Sequence, residues 1–115
     1  MYKLRQPAIF DLKLYQDRDF FMPIIFDNDI ETKVYKAQIR KNATSAAVEA
    51  EFSIDKDNEE NRIDLSLERS KITGIKVGNY LWDLIETDNA DARIPVLVGK
   101  INVEATITHD NTDNP

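Results

Sequence analysis

The sequence predicts an all-β domain: a seven-stranded antiparallel β-sandwich of the Ig-like kind, with one short helical turn near residues 70–75. Three observations carry this. Apolar and polar residues alternate with a period of two along most of the 115-residue chain, the signature of half-buried strands. Clusters rich in Asn and Asp separate the alternating segments at short, regular intervals. No segment combines helical length with a 3.6-residue apolar period, so the sheet has no β-α-β crossovers to draw on.

Taken in order, residues 8–15 put Phe10, Leu12 and Leu14 on one face and Asp11 and Lys13 on the other. Residues 19–27 are apolar on both faces, the pattern of a central or sandwich strand. Pro23 lies within this stretch. Proline cannot donate to a ladder, so the strand is either bulged there or exposes that edge. Residues 33–41 turn Tyr35, Ala37 and Ile39 inward and Lys36, Gln38 and Arg40 outward. Residues 48–54 set Val48, Ala50, Phe52 and Ile54 against Glu49, Glu51 and Ser53. Residues 62–68 set Ile63, Leu65 and Leu67 against Asp64 and Ser66. The stretch 68–75 does not alternate. It reads as one helical turn starting near Ser70 and ending at Gly74, with Ile72 and Ile75 plugging an end of the sandwich.

Residues 79–87 and 94–108 form the closing hairpin. It holds the only tryptophan, Trp82, which reads as core with Asp83 as its hydrogen-bonded neighbour. Phe10, Phe20, Phe26 and Phe52 fall on apolar faces as well. Gly99, in the last strand, marks a bulge or a close backbone approach. Residues 1–108 thus read as one sandwich domain and 109–115 as a polar tail.

Composition narrows the function. Fifteen cations against 21 acids leave a net charge of −6, which disfavours nucleic acid as a partner, since phosphate binding needs clustered Lys and Arg. No apolar run approaches the roughly 20 residues of a membrane-spanning helix, and residues 1–6 lack the pattern of a secretory signal. There is no cysteine, so disulfides and thiolate metal sites are excluded.

No catalytic, cofactor-binding or metal-binding set emerges, and the protein reads as a non-enzyme with no cofactor. His109, the only histidine, begins the polar tail rather than a cleft, and a serine–histidine–acid triad would need that residue. Asp83 stands between Leu81 and Ile85 and reads as a carboxylate tied to backbone or to an Arg. The acidic run of Asp55, Asp57, Glu59 and Glu60 lacks the glycine and the spaced glutamate of a helical calcium loop and reads as a solvated turn. The Asn42–Ala43–Thr44 sequon reads as chance without a secretory signal. Interface residues remain: Tyr2 and Tyr15 as uncommitted aromatics, the basic face of Lys33, Lys36, Arg40 and Lys41, and the acidic turn at Asp55, Asp57, Glu59 and Glu60. Pairing of the basic face with the acidic turn of another copy would build a head-to-tail ring.

The order of motifs resembles that of small phage virion β-sandwich domains. Leu12 and Leu14 precede Tyr15, Gln16, Asp17, Arg18, Asp19 and Phe20. The strand from Tyr35 to Arg40 follows, then Ile63, Leu65 and Leu67, a short helical turn, and Gly78, Tyr80, Trp82, Asp83 and Leu84. The series closes with Leu97, Val98, Gly99, Lys100, Ile101 and Val103. It is similar to the N-terminal domain of upper-baseplate proteins, and covers roughly residues 8–108. The sequence departs from that pattern at Asp17, where those domains often carry Gly, and at the acidic turn near Glu59. The resemblance implies a structural protein of a bacteriophage tail, baseplate or neck. Such a protein would be made in the host cytoplasm and reside in the virion, docking onto other virion structural proteins as a symmetric multimer, without nucleic acid or membrane as a partner. An alternative is a capsid decoration or host-attachment module, binding glycans through Tyr2, Tyr15 and Tyr80.

Overall fold

An alternating strand has one apolar face that must meet another apolar surface. The computed structural model, which describes residues 7–88 and 92–105, shows two sheets meeting in this way. The elements are β1 (Ala8–Ile9), β2 (Leu12–Tyr15), β3 (Phe20–Ile25), β4 (Val34–Arg40), β5 (Ala50–Glu51), β6 (Ser53–Asp57), β7 (Arg62–Leu67), α1 (Arg69–Thr73), β8 (Gly78–Thr87) and β9 (Arg93–Glu104). The larger sheet has the order β1-β9-β8-β4-β5, with β2 also on β9, and the smaller one has the order β3-β7-β6. In Ig lettering, β9, β8 and β4 take the places of strands G, F and C, and β3, β7 and β6 those of B, E and D.

All seven predicted strand segments are present, and two of them are interrupted. The first breaks at Phe10 and Asp11, yet β1 and β2 keep one register along β9 (Ala8 opposite Leu97, Leu12 opposite Ile101). The segment predicted at 48–54 starts at Ala50, breaks at Phe52, where the chain passes from the larger sheet to the smaller, and runs on to Asp57. The expected all-antiparallel pairing needs one correction: β1 and β2 run parallel to β9. A second concerns residues 19–27. Strand β3 is an edge strand, paired only with β7, and its outward residues Phe21, Pro23 and Ile25 are exposed because no second layer covers the outer face of the smaller sheet. Pro23 takes the edge option without a bulge, because the β3–β7 register is unbroken across it. The amide of Phe26 donates to Asn61 O at 2.8 Å. Hydrogen-bonded pairs alternate along an antiparallel ladder, so the nitrogen of Pro23 faces the free edge and no ladder bond is lost.

The core follows the predicted faces. Ala37, Ile39, Ile63, Leu65, Leu84 and Ile101 are fully buried, and burying each large aliphatic side chain contributes about 1.5–3 kcal/mol. Phe52 bridges the two sheets, with ring centroids 5.7 Å from Phe20 and 5.8 Å from Trp82. Phe10 departs from expectation: it is 46% exposed, at the break in the edge strand. Val48 is exposed as well.

The predicted helical turn is α1, and Ile72 and Ile75 are buried as expected. It is tied to the β2–β3 turn by three bonds. Arg69 N donates to Asp19 Oδ1 at 2.7 Å, Thr73 Oγ1 to Gln16 O at 2.7 Å, and Gln16 Nε2 to Ile75 O at 2.8 Å. Its C-cap, Gly74, is right-handed, with φ −77°, so it needs no glycine for a left-handed turn. Tyr80, near the start of β8, donates its hydroxyl to Lys76 O at 2.7 Å. This is the tyrosine corner of Ig-like sandwiches, and it stands two residues before Trp82.

Candidate functional site

The outer face of the larger sheet is not uniformly polar. Tyr80, Trp82 and Leu84 of β8 point inward, so Leu81, Asp83 and Ile85 point outward. Register then fixes their neighbours. Asp83 lies between Gln38 of β4 and Val98 of β9, and Val98 lies beside Ile9. Leu81 lies between Arg40 and Lys100. A groove of about 620 Å³ crosses these strands, within the size range of small-molecule sites. Its floor is Leu81 and Val98, one wall is Ile9 and Asp11 of the edge strand, and the other is Asn42 and Ala43 beyond β4.

Each wall has its own fastening. Arg40 donates through Nη1 to Ser45 O at 2.8 Å and Ala46 O at 3.0 Å, and through Nη2 to Gln38 Oε1 at 2.9 Å. These bonds hold the 41–49 connection against the sheet. On the opposite side, Trp82 Nε1 donates to Phe10 O at 2.8 Å. In a regular parallel ladder that carbonyl would accept from Lys100 N. Asp11 Oδ1 accepts the Lys100 amide instead, at 2.9 Å. The indole reaches the edge strand by crossing Gly99, where an added Cβ would lie 2.0 Å from Phe10 O and 3.0 Å from Trp82 Nε1. Gly99 is thus the close backbone approach the sequence predicts. The hydrogen-bond partner of Trp82 is Phe10, not Asp83.

Asp83 is the half-buried ionisable group of the groove. Burial raises its pKa above the ordinary carboxylate value, and the charges of Arg40 and then Arg93 pull it part of the way back. An aspartate that loses solvation without regaining it in bonds binds a donor or cation readily.

The predicted interface residues do not form one surface. Lys36 and Arg40 lie on the outer face of the larger sheet, and Asp55 and Asp57 lie on the smaller sheet. Glu59 and Glu60 sit in the β6–β7 turn, where their amides both donate to Asp57 Oδ1, at 3.1 and 3.2 Å. Asp55 belongs to a strand, not to the turn. Lys41 turns away toward Tyr80, with its ammonium 4.8 Å from the ring centroid, and Lys33 is paired with Glu86 at 3.2 Å. Tyr15 is half-buried under Arg18, 4.6 Å from the ring centroid. Tyr2 and His109 lie outside the described residues. Among the described residues, no group of three or more His, Asp or Glu side chains is arranged to hold a metal ion.

The groove residues Ile9, Leu81, Val98 and Lys100 are absent from the sequence-derived candidates. For Leu81 and Val98 the signal is apolarity on both faces of 80–85 and 94–98, which reads most simply as a strand buried on both sides; Ile9 and Lys100 lie outside those stretches.

No family model and no curated protein matches the chain. Among solved structures, it is similar to CopC from Methylosinus trichosporium OB3b, with a TM-score of 0.49 and 12% identity over 88% of this chain and 89% of that one. This corrects the reading as a phage protein. No family model, curated protein or solved structure named here is a virion component. The tail, baseplate or neck role, the decoration or host-attachment alternative and the virion location are therefore set aside. The β-sandwich itself stands. The motifs that carried the resemblance, alternation with a few placed aromatics, are those of the sandwich architecture, and they do not specify the biology.

Proposed function

We propose that the protein acts by binding rather than by catalysis, and that its binding surface is the groove over Leu81, Asp83 and Val98. The observation that carries this reading is the combination of an apolar floor with one partly desolvated carboxylate, between walls that are each fastened by hydrogen bonds. A pre-formed site of this kind loses little conformational entropy on binding. The ligand that fits is amphipathic. Its apolar body covers Leu81, Val98 and Ile9, and its cationic or hydrogen-bond-donating group meets Asp83. The net charge of −6 disfavours polyanions such as nucleic acid as the partner.

The test is a nuclear magnetic resonance titration of the intact protein with a library of small amphipathic amines. Binding at the groove shifts the amides of Leu81, Asp83, Val98 and Lys100 together, and the shifts disappear in Leu81→Asp. Shifts that cluster elsewhere, or that survive Leu81→Asp unchanged, would overturn the assignment. So would turnover of any added amine.

A further inference from the structure

Two outward surfaces, on opposite sides of the sandwich, complement each other. On the smaller sheet, Phe21 is 63% and Ile25 74% exposed, with Pro23 between them. Across the same face run Asp64 of β7 and Asp55 of β6, which are direct cross-strand partners. Like charges placed opposite one another destabilise a sheet. Arg62 answers only part of this charge, with Nε 3.2 Å from Asp64 Oδ1 and Nη2 3.2 Å from Asp57 Oδ2. Asp55 has no ion pair among the described residues. The face is thus an apolar stripe beside an under-compensated acidic stripe.

The second surface is the end of the larger sheet away from the groove. Register places Lys36, Ile85 and Pro95 in one row and Val34, Thr87 and Arg93 in the next. Val34 is 67% exposed, and neither Lys36 nor Arg93 has an ion pair among the described residues. This end is apolar and basic. Of the basic strand-face residues named from sequence, Lys33, Arg40 and Lys41 are engaged elsewhere in the fold, so only Lys36 remains for the purpose, and Arg93, whose charge also reaches Asp83 in the groove, joins it.

We propose that copies of this chain associate head to tail, with the acidic-apolar face of β3, β7 and β6 stacked on the basic-apolar end of β4, β8 and β9 in the next copy. Both halves of the contact are present on one chain, which favours a second copy over an unrelated partner. Arg93 and Lys36 would meet Asp55 and Asp64, and Phe21 and Ile25 would cover Val34 and Pro95. The contact is face to face, with sheets about 10 Å apart. Pro23 leaves the centre of the free β3 edge without a donor, which blocks strand addition there. Because the two surfaces differ, the contact is heterologous and generates a ring or an open chain of copies.

The experiment is sedimentation velocity and light scattering of three proteins at matched concentrations: the wild type, a Phe21→Ser/Asp55→Lys variant, and a Lys36→Glu/Arg93→Glu variant. The wild type is expected to self-associate with rising concentration, and each variant alone to associate about tenfold or more weakly. An equimolar mixture of the two variants is expected to associate more strongly than either variant alone, since each retains one working face. Asp55→Lys combined in one chain with Arg93→Glu tests the same contact by restoring opposite charges, and association should return. Melting curves of all variants establish that they are folded. A wild type that stays monomeric at every concentration overturns the proposal, as does a mixture that pairs no better than its components or a charge-swapped chain that fails to associate.

Discussion

The indole N–H of Trp82 donates to the main-chain carbonyl of Phe10 at 2.8 Å, passing over Gly99. One core side chain thereby anchors the edge strand that walls the groove.

Gly99→Ala is the most direct test of that relationship. The new methyl would sit 2.0 Å from the Phe10 carbonyl oxygen, an obstacle of backbone rather than of a flexible side chain. Overpacking costs about 1–3 kcal/mol, and the upper end is expected here. Urea denaturation should show a lower midpoint. Hydrogen exchange should show the Phe10 amide, which donates to Val98 O at 2.9 Å, losing protection before the core amides of β8.

Trp82→Phe and Asp11→Ala separate the two halves of the latch. The first leaves the Phe10 carbonyl without its indole donor, at a cost of about 1–3 kcal/mol; the second removes the acceptor of Lys100 N on an exposed side chain, at a cost of about 1 kcal/mol. In Trp82→Phe the Phe10 carbonyl is free to turn back to Lys100. In the double variant the freed Phe10 carbonyl and Lys100 amide can pair as in a regular ladder, so it is expected to be more stable than the sum of the single changes predicts, by denaturant titration of all four proteins.

Much of the fold was legible because period two is local. Ile63, Leu65 and Leu67 announce their face within six residues, and their burial follows. The latch was not legible, because it joins Asp11 to Lys100, 89 positions apart, through a parallel pairing that no turn announces. Strand β3 was misread for a related reason. Apolarity on both faces of 19–27 marks burial only if a layer lies on each side, and the outer face of the smaller sheet, with Phe21 and Ile25, is uncovered. The groove was hidden by the same ambiguity, since Leu81 and Val98 read as interior. The basic face of 33–41 was visible, but side-chain assignments within it depend on tertiary partners: Glu86 for Lys33 and two loop carbonyls for Arg40.

Lys56 carries a load that its place in an acidic run obscures. Its ammonium donates to Ile30 O at 3.2 Å, Glu31 O at 3.0 Å and Lys33 O at 2.6 Å, and so pins the β3–β4 connection onto β6. Lys56→Met keeps the stem and removes the donors. Hydrogen bonds to charged groups contribute about 1.5–3 kcal/mol each and are not additive, so a loss of about 2–3 kcal/mol is expected. The amide of Lys33, which donates to Ile30 O at 2.9 Å, should exchange faster in the variant.

Tyr80→Phe deletes the hydroxyl that donates to Lys76 O and leaves the ring in place. The expected cost is about 1 kcal/mol, read as a lower urea midpoint with an unchanged slope, because the surface exposed on unfolding does not change. A shift in slope would show instead that the corner holds the α1–β8 connection compact.

Asp83 gives stability a dependence on pH of definite sign. Its folded-state pKa lies above the ordinary carboxylate value, chiefly through burial. Between the unfolded and folded pKa values, the folded state therefore holds a proton that the unfolded state has lost. Stability contributed by this group falls as pH rises through that window, and the penalty is complete above the folded pKa. Asp83→Asn removes the titration. The variant is expected to melt above the wild type at neutral pH, with the difference shrinking as pH falls through the raised folded pKa and largely gone below about 4, where the wild-type carboxyl is protonated in both states. Arg40 and Arg93 lose a favourable charge in the exchange, which limits the gain at neutral pH without reversing its direction, since burial is the larger influence on the group. Melting temperatures of both proteins across acid to neutral pH decide the matter. A difference that grows toward acid would place Asp83 in a stabilising ion pair and remove the basis for an amine-binding groove.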